Sequence, residues 1–126
     1  MLPEDIKYTT EHVWLKIEDD RVVIGITDYA QKELGDVVFV DLPAVGERFT
    51  AGDAMITIES VKAVSEINIP ISGEIMETND DLEHSPELIN QDPYRKGWIA
   101  VIEPSDPNEL KGLLTAKAYS NHIGKK

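Results

Sequence analysis

The chain has 126 residues, the size of one domain with one core, so a single domain over residues 1–126 is expected. Its 24 acidic and 12 basic residues give a formal net charge of −12, which repels phosphate backbones and argues against nucleic-acid binding. There is no cysteine, which excludes disulfides, cysteine-ligated metals and thiol nucleophiles, and no apolar run approaches the ~20 residues that a membrane helix needs.

The opening stretch Met1-Leu2-Pro3-Glu4-Asp5 is acidic. It has neither the basic and apolar regions of a signal peptide nor the Arg-rich character of a transit peptide, so a cytoplasmic, bacterial or archaeal protein is expected. Residues 13–17 read as a strand, turned by Glu18-Asp19-Asp20 into a second strand over 21–26. Thr27 can cap a short helix over 29–34, and Gly35 suits its left-handed end. The run 36–42 is a strong strand closed by Pro43. Gly52-Asp53 repeats Gly35-Asp36 ahead of another apolar run, the kind of echo that a flattened barrel or sandwich of two similar halves requires.

Residues 54–58 and 66–69 then form two strand-like runs separated by small residues, a hairpin with Lys62 at or near its tip. Beyond Pro70, Ser72-Gly73 turns the chain into a strand over 74–78. The segment 79–92 is polar; Ser85 is expected to cap a short helix over 86–90 with Pro86 at its first position. Asp80, Asp81, Glu83 and His84 do not match the spacing of a calcium loop and read as a solvated turn. Residues 98–102 are the last expected strand. Asp106, Pro107 and a Glu109 able to reach back open a C-terminal helix, whose Leu110, Leu113 and Leu114 should dock on the sheet. Residues 116–123 can add a turn or two, and 124–126 should fray. Trp14, Tyr29, Phe39, Tyr94 and Trp98 read as packing, and His12 as a hydrogen-bonded strand position. The expected fold is mostly β, a flattened barrel-sandwich hybrid with short accessory helices and a C-terminal helix.

A lysine on a hairpin tip is ordinarily a solvated charge. Here its neighbours read Glu59, Ser60, Val61, Lys62, Ala63 and Ser65. That Glu-Ser-Val-Lys-Ala-x-Ser core resembles the lipoyl-lysine hairpin of the glycine cleavage system H-proteins. The blocks Gly25-Ile26-Thr27-Asp28-Tyr29-Ala30-Gln31, Leu34-Gly35-Asp36, Pro70-Ile71-Ser72-Gly73-Glu74, Ser85-Pro86-Glu87-Leu88-Ile89-Asn90, Asp92-Pro93-Tyr94 and Gly97-Trp98 extend the resemblance over nearly the whole chain. Biotin carriers flank their lysine with methionines, and Val61 and Ala63 argue against biotin.

The resemblance implies a lipoyl group amide-linked to Lys62, with Glu59, Ser60, Val61, Ala63 and Ser65 forming the hairpin recognised by the lipoate-attaching enzyme. It implies a carrier that is no enzyme by itself. The arm would take the aminomethyl group of glycine from a pyridoxal-phosphate glycine decarboxylase (P-protein) to a tetrahydrofolate-dependent aminomethyltransferase (T-protein). Dihydrolipoamide dehydrogenase (L-protein) would then reoxidise it. A monomer is expected, with no membrane partner. By the same resemblance, the loaded arm would fold between steps into a cleft, where acidic residues would pair with its ammonium, a contact worth about 1.5–3 kcal/mol.

At that cleft the sequence departs from the family. Val13 stands between His12 and Trp14, where an acid is usual. Glu66, four positions beyond Lys62, is the first candidate for the cleft acid and Glu11 the second, with His12 at the border. Two other readings stand beside this one. The chain could be an H-protein-like carrier used mainly for lipoyl storage or relay. It could instead be an autonomous hydrolase or metal protein, although no nucleophile elbow, histidine triad, Walker loop or dinucleotide glycine pattern appears.

Overall fold

The structure is a computed structural model describing residues 5–124; the acidic opening 1–4 and Lys125 and Lys126, expected to fray, lie outside the described residues. The strands are β1 (Lys7–Tyr8), β2 (Val13–Glu18), β3 (Arg21–Ile26), β4 (Val37–Asp41), β5 (Arg48–Phe49), β6 (Ala54–Ser60), β7 (Val64–Asn68), β8 (Gly73–Thr78) and β9 (Ala100–Pro104). Four short α-helices accompany them: α1 (Asp28–Leu34), α2 (Asp81–His84), α3 (Leu88–Gln91) and α4 (Ala116–His122), with a 3-10 helix over Pro107–Gly112.

Two sheets result, one in the order β1-β2-β3-β9-β8-β5 and one in the order β4-β6-β7. They face each other across one core and do not close into a barrel: a mostly β barrel-sandwich, as expected. Val13, Leu15, Ile24, Ile75 and Ile102 come from the large sheet and Val37, Val40, Ile56 and Ile58 from the small one. Alternation assigns the other face of β2 to a second cluster, in which Trp14 packs with Ile6, Tyr8 and Tyr119.

The β2–β3 hairpin pairs from Val13↔Ile26 to Glu18↔Arg21, with Asp19 at φ 56 in its turn. Thr27 caps α1 through its side chain, which accepts from the Ala30 N–H, and Gly35 ends the helix at φ 80. Both follow the expectation. The Gly52 echo also takes a left-handed φ, 96, and the two strands that follow the repeated dipeptides pair with each other as β4 and β6.

Several expectations are corrected. β1 and β5 have two residues each, too short for a hydrophobic period to register. The last strand begins at Ala100 rather than Trp98, because Trp98 and Lys96 turn their carbonyls to the Asn79 side-chain amide. The solvated turn at 80–84 contains α2, held down by the fully buried Leu82. Ser85 does not cap a helix over 86–90; α3 starts at Leu88 and has no side-chain cap. The single C-terminal helix is two pieces. Asp106 caps a 3-10 turn, and Thr115 separately caps α4 by accepting from the Ala118 N–H. Glu109 does not reach back, since its carboxylate accepts from the Ser72 N–H at 2.6 Å and from its Oγ at 3.1 Å. Leu110 and Leu113 pack on the main core but Leu114 joins the second cluster. Phe39, expected to pack, is half exposed on β4.

Candidate functional site at the Lys62 hairpin

β6 and β7 form the expected hairpin, but the ladder runs further than the apolar pattern, from Ala54↔Asn68 to Glu59↔Val64. That leaves residues 60–63 as the turn. Ser60 closes it: its N–H donates to the Ala63 carbonyl at 2.8 Å, and its hydroxyl accepts from the Lys62 and Ala63 N–H groups, both at 3.2 Å. A short hydroxyl side chain is suited to this local bonding, which rigidifies a turn that has no glycine. Val61, Lys62, Ala63 and Val64 are all exposed, and Ser65 is half-buried opposite Ile58.

The tip does not stand free. The Val61 N–H donates to the Asp36 carbonyl at 3.0 Å, tying the turn to the corner between α1 and β4. Above that corner lies the Lys62 stem: a Cβ on Gly35 would sit 3.1 Å from Lys62 Cε. The corner is itself clamped by Asn90 of α3. Its amide donates to the Gly35 carbonyl at 2.8 Å and to Gln31 Oε1 at 2.9 Å, while its Oδ1 accepts from the Val37 N–H at 2.8 Å. Gln31 in turn donates to Asp28 Oδ1 at 2.8 Å. Burial pulls the Asp28 carboxyl up, but hydrogen bonds from Lys32 and Gln31 outweigh it and hold the group below its usual value. Sequence reasoning placed Asn90 in a helix and missed this clamp. The one available signal was an amide among the apolar neighbours Leu88 and Ile89.

His12 is in neither strand. It lies in a turn at φ 71, with Nδ1 2.8 Å from the Tyr119 hydroxyl and its ring 4.7 Å from that of Tyr29 on α1. Burial and the neighbouring His122 lower its pKa, while Glu33 and Glu11 act in the opposite direction. Glu11 is exposed, and its N–H donates to Thr9 Oγ1. His12 thus lies beside Tyr29 and Glu33 of α1, with Glu11 next to it in the turn, and Gly35, under the Lys62 stem, ends the same helix. Glu66 is exposed on β7 opposite Thr57, and Glu59 faces Phe39 and Val64. Among the described residues, Glu66 makes no ion pair, with His12 or with any other residue. Trp14 is buried, donating from Nε1 to the Pro93 carbonyl at 2.9 Å, and Tyr94 accepts from the Asp28 N–H. An open groove of about 910 Å³ lies between Trp14, Tyr94 and Trp98, and none of its lining residues belongs to the hairpin. This groove therefore lies away from the candidate lysine. No helix among the described residues is long and apolar enough to cross a membrane.

Comparison with known proteins covers nearly the whole chain. The sequence profile of the glycine cleavage H-protein family matches residues 6–126. A glycine cleavage system H protein of Oceanobacillus iheyensis is 54% identical over 122 residues, covering 97% of each chain. One from Bacteroides thetaiotaomicron is 50% identical over 117 residues, 93% of each. The crystal structure of a glycine cleavage system H protein from Mycobacterium marinum superposes with a TM-score of 0.90 at 40% identity, covering 98% of this chain and 99% of that one. A hairpin of this form, in this fold, with these relatives, places the chain in the glycine cleavage H-protein family.

Proposed function

We propose that this chain, as one unit over residues 1–126, is the lipoyl carrier of a cytoplasmic glycine cleavage system, with Lys62 as the attachment lysine. The observation that carries the reading is the exposed Lys62 on a rigid turn, its stem lying across a glycine that leaves room for it. An attaching enzyme must reach the lysine from outside. Ser60 holds the turn's backbone for it, Val61 and Ala63 flank the lysine without competing charge, and Glu59 and Ser65 bracket the turn. When attached, the lipoyl group supplies a dithiolane that accepts the aminomethyl unit and is afterwards reoxidised; the protein supplies presentation and electrostatics.

The chain's own residues present the arm, shelter it and balance charge. Partners by this reading are the glycine decarboxylase, the aminomethyltransferase, dihydrolipoamide dehydrogenase and the lipoate-attaching enzyme, with the chain itself not an enzyme. From Gly35 back to Tyr29 is about 9 Å along α1, a distance an extended lipoyl-lysine covers. That supports a resting path over α1 toward His12, Glu11 and Glu33. Glu66, four residues from Lys62, is the other acid assigned to the ammonium. Glu11→Gln and Glu66→Gln should each speed loss of the aminomethyl load to water; unchanged rates in both would remove Glu11 and Glu66 from the reading.

Intact-mass and peptide spectra after incubation with lipoate, ATP and a lipoate ligase test the core of the reading. The expected outcome is a gain of one lipoyl group on Lys62, absent from Lys62→Arg. Modification elsewhere, or none with a ligase active on another H-protein, would overturn it. A lipoylated chain that fails to support exchange of bicarbonate into glycine would point to storage or relay.

A further inference from the structure

The outward face of the small sheet has a composition that its fold does not need. In an antiparallel sheet, directly paired residues project to the same face. Phe39, Glu59 and Val64 form one such row across β4, β6 and β7, and Asp41, Thr57 and Glu66 form the next. Val40 and Ile58, which alternate with them, are buried in the core, so these rows point away from it. Phe39 is 49% exposed and Val64 65%; Val38, at the bulge of β4, is 55% exposed and Val61, on the turn, 67%. They make up four of the six exposed large hydrophobics among the described residues, and they gather on one small sheet around Lys62. Apolar side chains scattered singly need no explanation, but a cluster rimmed by polar groups marks an interaction surface.

The charge on this face is of one sign. Glu59 lies between Phe39 and Val64, Asp41 and Glu66 stand in the next row, and among the described residues no ion pair involves any of the three. The only basic side chain on the turn that borders this face is Lys62 itself. A second copy of the chain would bring the three acids against themselves, a like-charge contact that opposes pairing. The complementary occupant is a protein presenting an apolar surface fringed with lysine and arginine.

We infer that the outer face of β4, β6 and β7, centred on Phe39 and Val64, is the docking surface by which a partner enzyme seats the carrier while Lys62 enters its cavity, the partner's mouth being apolar with a basic rim. This rests on the carrier reading above and adds which face is used and what chemistry receives it.

The experiment separates docking from the arm. Lys62→Arg chain, which has no attachment lysine, is titrated as a competitor into the reaction of the glycine decarboxylase with the lipoylated wild-type chain. It is compared with the same chain carrying Phe39→Thr and Val64→Thr, substitutions at exposed positions that keep strand-compatible side chains. Lys62→Arg should inhibit competitively, more weakly as salt rises. Phe39→Thr with Val64→Thr should raise its inhibition constant about tenfold or more, as expected when interface anchors are truncated. Equal inhibition by both chains, or none by Lys62→Arg alone, would overturn the proposal. A concentration-dependent dimer of the parent in sedimentation, lost in Phe39→Thr with Val64→Thr, would hand the face to self-association and overturn it too. Failure of the carrier reading shows separately, as absence of a lipoyl group on Lys62 in the mass spectrum of the wild-type chain.

Discussion

One amide at Asn90 meets the end of α1, the start of β4 and the side chain of Gln31, and through that corner it sets where the hairpin tip rests. Asn90→Ala would leave the Gly35 carbonyl, Gln31 Oε1 and the Val37 N–H without their partner at a part-buried site. We expect it to lower stability by about 1–3 kcal/mol in urea unfolding and to slow ligase-dependent modification of Lys62 more than Asn108→Ala, at an exposed site, does. His12 gives a prediction of pH dependence. Burial and His122 hold it below its ordinary value of 6.5, against the pull of Glu33 and Glu11, with Tyr119 and Tyr29 packed on its ring. The unfolded chain therefore takes up this proton first as pH falls. The stability linked to His12 is full above pH about 6.5 and is lost as pH drops through the folded value. Thermal unfolding followed across that window should show Tm falling with acid, and His12→Asn, which tolerates the left-handed backbone, should flatten the fall.

At the level of elements, β2 and β3 can lie flat against each other beneath an indole only because Gly25 has no side chain. A Cβ there would sit 2.6 Å from Cε2 and Cζ2 of Trp14, its partner in the hairpin register. Gly25→Ala should push the indole off the Pro93 carbonyl and cost about 1–3 kcal/mol, the usual range for overpacking. A red-shifted tryptophan emission with a lowered urea midpoint would be the expected result; unchanged emission would mean that the sheet, not the indole, gives way. The long strands and α1 were legible because period-2 alternation, the Thr27 cap and the Gly35 end are local chemistry. The segment 79–99 was not, because its conformation is set by side chains reaching distant backbone, as Asn79 reaches Lys96 and Trp98.

Over the whole molecule, the second cluster joins the two ends of the described chain. Tyr8 stacks on Tyr119 with ring centroids 4.8 Å apart, and β1 exchanges backbone hydrogen bonds with Leu114. The Tyr119 hydroxyl lies 2.8 Å from both His12 Nδ1 and Thr27 Oγ1, so α4 is pinned to the turn before β2 and to the cap of α1. Burial pushes the Tyr119 pKa up to about 12. Tyr119→Phe should cost about 1–2 kcal/mol in denaturant unfolding by leaving the buried Thr27 and the part-buried His12 short of a partner. Hydrogen exchange should quicken first in α4 and around His12 rather than in the main core.

The sequence by itself determined the mostly β class, the hairpin that carries Lys62 and the capping of α1, since each depends on residues within a few positions of one another. Its family blocks also named the family that the comparisons then identified. Only the tertiary structure decided that His12 leaves the strand for Tyr119, that Glu109 turns to Ser72, that Phe39 faces outward, and that Asn90 holds the corner under Lys62. The reason is common to all four. A polar side chain takes the best partner that folding brings within reach, and an apolar one takes the face its strand register assigns; neither is written in the residues next to it.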